Sequence, residues 1–450
     1  MHCTFIPPYL VRRLATSDSQ ADLSREGEQT LRLDEGLRAR RDMPPRTITR
    51  PAAAGDATRV VHDAHNREEL PGDEVRRDGD PATGDVAVDE AFASSGQAWD
   101  LFAEEFNRRS VDGNGTGLSV TVHYGEKYDN AFWDGQQLVF GDGDGQIFDR
   151  FTKPMDVMVH EFAHGVTQFT AALSYQSQPG ALNESVSDVF AALAKQRSLG
   201  QTADQADWLI GEGLFLPGVQ ARALRSMIEP GTAYDDPQLG KDPQVGSMGD
   251  YVDTEEDSGG VHINSGIPNR AFALTALGLG GKSWEHAGQT WYDALTSGEV
   301  SAGTDFVGFA RATVSSAVRL YPDDPHVADQ VRSAWETVGV SLEEPQAVSS
   351  PASTAPAARV AVRRSGGFAG LTRSGELDLD SDPEGEEVRQ LLGAVDLRSL
   401  TASAPGADRF VYTLEFGADQ VTLPEQDLTP ELSRVVQIVL GNRSRGLGPS

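Results

Sequence analysis

Two histidines, His160 and His164, stand four residues apart in a stretch with helical periodicity, and this spacing constrains the fold more than any other feature of the chain. Side chains at positions i and i+4 lie on one face of an α-helix, so both imidazoles can bind the same tetrahedral metal ion. Glu161 lies beside that face, where it can accept a proton from a water molecule at the metal. An amphipathic helix with two surface histidines has the same pattern by chance, so the pattern alone leaves both interpretations open.

A second acidic segment favours the metal site. Glu184 and Asp188 are four residues apart and lie on one face of the next predicted helix. Glu184 can supply a third ligand and leave one position open for water, while Asp188 can hold the ring N–H of a ligand histidine. Asn183 is a further candidate for contact with the ligands. Acidic residues on helices are usually solvated, but these stand in an apolar segment where an unpaired carboxylate would be costly.

The motifs around these residues resemble the thermolysin-like zinc metallopeptidases. HEFAH, followed after eighteen residues by NESVSD, has the family's order and spacing, and the resemblance spans roughly residues 59–340. The other matching segments are Tyr128–Gly135, Tyr175, Leu224–Met227 and Asp257–Gly266. The resemblance implies an α+β fold in which a β-rich N-terminal lobe (56–172) and a helical C-terminal lobe (173–343) enclose a zinc cleft.

The resemblance also assigns roles to individual residues. The implied zinc ligands are His160, His164 and Glu184, and the implied catalytic residues are Glu161, His262, Tyr175 and Asp257. Glu161 would act as general base, and Asp257 would orient His262, which with Tyr175 would stabilise the oxyanion. The implied substrate-binding residues are Asn130, Ala131 and Arg225, which would hold the substrate main chain as an added strand.

These roles predict an endopeptidase that cuts protein and peptide substrates before bulky apolar residues. The competing hypothesis is a regulated binding protein whose site is kept shut. The complete motif set favours the enzyme, because a protein that has lost catalysis has no chemical need for Glu161 or His262.

A calcium site is only partly present in the sequence. Asp156, Asp207 and Glu212 fit the acidic pattern of the family's double calcium site, but Lys195 and Leu209 stand where further carboxylates would be needed. Because a cation and an apolar side chain do not bind calcium, we expect at most one Ca²⁺, with Lys195 replacing the other electrostatically.

Periodicity gives a coarse secondary structure. Strands and turns are predicted from Arg59 to Gln146, and helices from Pro154 to Val340. The clearest helical segments are 155–170, 184–196, 269–277 and 304–321.

The N-terminal segment (1–55) is predicted to be a propeptide. Nine arginines and seven acids give residues 1–50 a charge of +2, so the other 400 residues carry −32. Pro7-Pro8-Tyr9-Leu10 resembles the short propeptide of the protealysin subgroup, and we expect the basic segment to lie on the acidic body and to be cut off near 50–58. A disordered tail is the alternative. Cys3 is expected to have an apolar role, although it could also cap the zinc as a thiolate.

The C-terminal residues 358–448, after a Pro/Ala/Ser linker (344–357), are predicted to form a small α+β domain. It has two hairpins and helices at 386–394 and 430–442. The segment 359–373 resembles emfourin, a small inhibitor of protealysin-like enzymes, which implies inhibition in cis; a targeting or substrate-binding module is the alternative.

The net charge of −30 argues against nucleic-acid binding, and no run of about 18 apolar residues suggests a membrane span. The first 14 residues lack the pattern of a standard secretion signal. We therefore expect the protein to be cytoplasmic at synthesis, with secretion by a non-standard route as the alternative.

Overall fold

A computed structural model describes residues 3–16, 21–40, 59–342, 359–366, 373–395, 410–416 and 419–441. The chain forms two compact units, Met1–Glu344 and Pro345–Ser450. The strands are β1 (Cys3–Thr4), β2 (Arg59–Asp63), β3 (Asp73–Arg77), β4 (Leu118–Val122), β5 (Ala131–Trp133), β6 (Leu138–Phe140), β7 (Leu209–Ile210), β8 (Arg225–Ser226), β9 (Asp235–Asp236), β10 (Gly240–Lys241), β11 (Arg359–Gly366), β12 (Arg373–Asp378), β13 (Phe410–Phe416) and β14 (Asp419–Pro424).

The α-helices are α1 (Pro8–Ala15), α2 (Ala21–Arg40), α3 (Val86–Asp100), α4 (Met155–Gln168), α5 (Ser177–Leu199), α6 (Asp257–Asn264), α7 (Gly266–Leu279), α8 (Ala287–Thr296), α9 (Phe306–Leu320), α10 (Pro325–Thr337), α11 (Gly385–Gly393) and α12 (Pro430–Gly441). The predicted linker 344–357 and the predicted propeptide cut site at 50–58 lie outside the described residues.

The first lobe of the larger unit is built on a six-stranded sheet of order β1-β5-β6-β4-β2-β3. Strands β2, β4 and β6 run parallel, and the other neighbours are antiparallel. Helix α3 packs on β2 and β4. The sequence pattern did not predict α3, because its buried face consists of small side chains such as Ala87, Ala91 and Ala98 rather than large apolar ones.

The second lobe of this unit is helical, and its first helix, α5, packs against α4. Helix α5 begins at Ser177, not at the predicted Glu184. Pro179 is compatible with this earlier start, because proline is tolerated in the first turn of a helix. Gly180 is required by packing, since a Cβ atom would lie 2.4 Å from Val261 Cγ1 of α6. The α+β class and the two-lobed fold are confirmed.

The smaller unit has its own core. Its four antiparallel strands have the order β12-β11-β13-β14, and α11 and α12 pack together, with α12 against β11 and β12. Val360, Val362, Leu414 and Val435 are fully or almost fully buried between these layers. Across the described parts of the chain, no helix is both long and apolar enough to cross a membrane.

Candidate metal centre

The predicted metal ligands meet where α4 packs on α5. His160 and His164 lie one turn apart on α4, and Glu184 faces them from α5. The two Nε2 atoms are 3.0 Å apart. Glu184 Oε2 lies 3.4 Å from His160 Nε2, and Glu184 Oε1 lies 3.5 Å from His164 Nε2. All three side chains are buried, so the structure brings the three residues to one point.

These donors fit a single zinc ion. The donors of a tetrahedral zinc site stand about 2.1 Å from the metal and hence about 3.4 Å from one another. Glu184 Oε2 is buried, and none of the described residues gives it a hydrogen bond. Burial of an unpaired carboxylate oxygen is costly, whereas a cation between the three side chains would satisfy it. Two imidazoles and one carboxylate are also a known catalytic ligand set for zinc.

Asp188 orients His160 by binding the ring nitrogen that faces away from the metal site. Its Oδ1 accepts the Nδ1–H of His160 at 2.8 Å, which leaves the Nε2 lone pair for the metal. Arg225 donates to both Asp188 oxygens at 2.8 Å, and Asn269 Nδ2 donates to Oδ2 at 2.8 Å. Burial raises the pKa of Asp188, but Arg225 and His160 outweigh that effect and lower it to about 2. The carboxylate is therefore ionised whenever the site works.

Asn183 and Ser187 orient His164. Asn183 Oδ1 accepts the Nδ1–H at 2.8 Å, and Ser187 Oγ lies 3.0 Å from the same nitrogen. Sequence reasoning missed Ser187 and Asn269. No local sequence signal identifies them, because the sequence pattern around a short polar residue on a helix is the same whether the residue faces water or a metal ligand distant in sequence.

Glu161 lies beside the metal centre, and its side chain is fully buried from solvent. Its Oε2 accepts the N–H of Trp133 at 2.9 Å, and its Oε1 is buried with no hydrogen-bond partner in the described part of the chain. Burial, with a smaller contribution from the charge of Glu184, raises the pKa of Glu161 to about 8. A carboxylate with a raised proton affinity is suited to accept and return a proton.

His262 faces the same point from the opposite lobe. Asp257 Oδ1 accepts its Nδ1–H at 2.6 Å, and Asp257 Oδ2 accepts its backbone N–H at 2.9 Å. Tyr175 OH lies 3.2 Å from His262 Nε2 and donates to Glu184 Oε1. Burial lowers the pKa of His262, but the charge of Asp257 outweighs it and raises the pKa.

The first half of α6 departs from right-handed helical geometry, and this left-handed backbone segment positions His262. Residues 257–260 all have positive φ, between 51° and 82°. Asp257 and Ser258 are not glycines, and such a conformation costs of order 1 kcal/mol or more for each of them. Strain of this kind persists where the surrounding structure enforces a functional geometry.

The N-terminal strand β1 occupies the edge of the cleft. Cys3 pairs with Trp133 and Thr4 with Phe132, antiparallel, and Phe5 N–H donates to the carbonyl of Ala131 at 3.0 Å. This is the added-strand arrangement that was predicted for a substrate. Only the backbone of Cys3 is described, so the capping hypothesis stays a prediction.

Three predicted site residues hold the next part of this segment. Asn130 Oδ1 accepts the N–H of Ile6 at 2.8 Å, and its Nδ2 donates to the Ile6 carbonyl at 3.3 Å. Arg225 Nη1 donates to the Phe5 carbonyl at 3.2 Å, and His262 Nε2 lies 3.0 Å from the Thr4 carbonyl.

The rest of the segment docks mainly through apolar and buried polar contacts. Leu10, Val11 and Leu14 of α1 are buried in the core of the larger unit. Asp34 of α2 is buried, and it accepts the hydroxyl of Tyr128 at 2.5 Å and Asn130 Nδ2 at 3.2 Å. The ion pairs between this segment and the body run in both senses, so the expectation that the basic segment lies on an acidic body stays a prediction. Arg32 pairs with Glu68 at the surface, but Glu26 pairs with Lys127 in the opposite sense.

The expected calcium acids surround a lysine. Lys195 Nζ lies 2.8 Å from Asp207 Oδ2, 2.9 Å from Glu212 Oε2 and 3.4 Å from the carbonyl of Leu209. Burial raises the pKa of the nearby Asp156 to about 6, although Lys195 opposes this. The ammonium group of Lys195 therefore occupies a position where a cation was expected. The expectation of at most one calcium ion stays a prediction.

The chain matches known families over most of its length. Residues 51–168 match the thermolysin metallopeptidase catalytic domain, residues 171–340 match the thermolysin metallopeptidase alpha-helical domain, and residues 362–440 match emfourin.

Individual proteins are similar over the larger unit. An extracellular metalloprotease of Pectobacterium carotovorum is 50% identical over 76% of this chain and 97% of its own length, and protease PrtS of Photorhabdus is 44% identical over 75% and 92%. The solved precursor of protealysin, a metalloproteinase from Serratia proteamaculans, is 50% identical, with a TM-score of 0.69 over 75% of this chain and all of that one.

Proposed function

The chain belongs to the thermolysin family of metallopeptidases, and from this premise we propose that it is a self-cleaving precursor that cuts internal peptide bonds before bulky apolar residues. It is a zinc metalloendopeptidase with an emfourin domain. The observation that carries the proposal is the strand β1, which His262, Arg225 and Asn130 hold beside the metal centre as they would hold a substrate.

The side chains around this strand have separate roles in hydrolysis. His160, His164 and Glu184 would hold a zinc ion, which when bound would supply Lewis-acid chemistry and acidify water. Glu161 takes the proton of the attacking water and returns it to the leaving nitrogen. His262 and Tyr175 donate to the oxyanion as it develops.

The preference for an apolar residue after the cut rests on the pocket that holds Phe5. The ring lies edge-on to His160, with centroids 5.1 Å apart, and the guanidinium carbon of Arg225 lies 4.7 Å from its centroid. Phe5 is fully buried. Burial of such a side chain is worth about 2 kcal/mol, so Phe, Leu and Ile should be favoured there.

Two segments of the chain are expected to regulate the site. Residues 1–55 would block it until self-cleavage near 50–58, and the emfourin domain would inhibit it in cis. A targeting or substrate-binding module remains the alternative for that domain. Its separate core supports testing it alone.

The test is mass spectrometry of the full chain, with zinc and with a zinc chelator, together with a peptide library. We expect zinc-dependent cuts before Phe, Leu or Ile and release of the N-terminal segment. Cuts without preference for the following residue would contradict the specificity. For the emfourin domain, residues 1–343 should be more active than the full chain, and added 358–450 should inhibit them. Equal activity and no inhibition would leave the targeting or substrate-binding role.

The place of action stays a prediction. The similar Pectobacterium protein is named extracellular, which favours export over retention in the cytoplasm. Detection in culture medium of intact cells would test this.

A further inference from the structure

We infer that the chain hydrolyses its own Thr4–Phe5 peptide bond in cis, so that Phe5 becomes a new N-terminus. This inference rests on the proposed endopeptidase function and deepens it by naming the first substrate. It concerns a bond inside the N-terminal segment and is separate from the expected cut near 50–58.

The register of β1 selects this bond. His262 Nε2 lies 3.0 Å from the carbonyl oxygen of Thr4, so the Thr4 carbonyl faces the donor that stabilises an oxyanion. Arg225 binds the carbonyl of the following residue, Phe5, and Asn130 binds both main-chain groups of Ile6. A shift by one residue would move every one of these contacts to the wrong atom, because the strand repeats every two residues.

The side chains agree with that register. Phe5 is fully buried, and its ring contacts His160 and Arg225. Thr4 and Ile6 are also buried, so residues 4–6 are fixed on both sides of the bond. Near-attack geometry that is held in this way can replace much of the entropic barrier of a bimolecular reaction.

The reaction balances with water as the only co-reactant. The oxygen of water bonds to the carbonyl carbon of Thr4 while the bond from that carbon to Phe5 N breaks. Glu161, whose Oε1 has no hydrogen-bond partner among the described residues, takes one water proton and delivers it to Phe5 N. The second water proton also passes to the released amine, so the products are a carboxylate at Thr4 and an ammonium group at Phe5. Because Leu10, Val11 and Leu14 remain buried, the shortened segment stays docked after the cut.

The experiment follows the N-terminus of the full chain after zinc is added to metal-free protein. We expect fragments that begin at Phe5, at a rate that is unchanged when the protein is diluted tenfold, and none from Glu161→Gln. Phe5→Ala should slow the cut about tenfold or more, while Phe5→Leu should retain most of the rate. Arg13→Gln, altered at an exposed contact of the same segment with Gln238, is the matched control and should cut normally.

Hydrogen exchange gives a readout that does not depend on turnover. In full-chain Glu161→Gln loaded with zinc, the amides of Phe5 and Ile6 should be protected, and Phe5→Ala should remove that protection. If external peptides are cut but no fragment begins at Phe5, this inference is wrong and the proposed function stands. If neither external peptides nor the Thr4–Phe5 bond are cut, both are wrong.

Discussion

Two groups of acidic side chains lie at helices α4 and α5, and they are neutralised differently. At the metal centre, Glu184 faces two histidines and one of its buried oxygens receives no hydrogen bond from the described residues. At the other group, which we call the lysine cluster (Asp156, Lys195, Asp207 and Glu212), the chain supplies its own cation.

The two ways of neutralising the acidic side chains suit different roles, catalysis at the metal centre and structural stability at the lysine cluster. An ion bound from solution can keep one position open for water, which catalysis requires. An ammonium group has only three hydrogen-bond donors and no open position, but it cannot dissociate from the protein. The function of the metal centre should therefore depend on zinc from solution, while the stability of the lysine cluster should not depend on any metal ion.

The largest expected contrast comes from removing metal ions. A zinc chelator should abolish peptide hydrolysis, and added zinc should restore it. A calcium-selective chelator should leave both activity and melting temperature unchanged, because Lys195 already neutralises Asp207 and Glu212. A clear drop in melting temperature with the calcium-selective chelator would show that the lysine cluster does not replace the ion.

Catalysis and metal binding should separate at the metal centre itself. Glu161→Gln should keep stoichiometric zinc but lower kcat about 10³-fold, because the water loses its base. The matched variant Glu184→Ala should lose zinc affinity instead, since it removes a ligand. Metal analysis and steady-state kinetics would measure both. Near-normal turnover in Glu161→Gln would contradict the mechanism.

Lys195 should matter for stability rather than for chemistry. Lys195→Met should lower the free energy of unfolding by about 2 kcal/mol, because the acids around it lose their partner. Lys195→Glu should have an even lower free energy of unfolding than Lys195→Met. It should regain stability in millimolar Ca²⁺, because oxygen ligands would then surround a vacant cation position. Denaturant unfolding with and without calcium measures this. Arg319→Gln is a surface control, since exposed ion pairs contribute little.

A smaller effect should appear in the pH dependence of stability. The pKa of Asp156 is raised from 3.8 to about 6, so the stability it contributes is greatest below pH 4 and is lost as the pH rises through about 6. Asp156→Asn should therefore gain about 1 kcal/mol relative to wild type between pH 5 and pH 8.

The matched variant Asp207→Asn should change in the opposite direction. Burial raises the pKa of Asp207, but its hydrogen bond from Lys195 outweighs this and lowers it. Its stabilisation is then present above the usual aspartate pKa and is lost in acid. If both variants change with pH in the same direction, Lys195 does not dominate the electrostatics of the cluster.

The sequence by itself predicted the metal site and the helices α4, α5, α7 and α9, although it placed the start of α5 too late. The spacing of His160, His164, Glu184 and Asp188 follows the helical period, and that period is a local property of the backbone. The strands and helices of the smaller unit were also close to those predicted. Helix α3 was missed because its small buried residues give no strong pattern.

Only the tertiary structure decided which distant groups meet. Arg225 contacts Phe5 across 220 residues, and Asn269 reaches Asp188 across 81. The occupation of the cleft by β1, with Thr4 at His262, depends on strand pairing and on the docking of α1, and neither leaves a local signal. Periodicity states which face of an element a residue lies on, but packing alone selects what that face contacts.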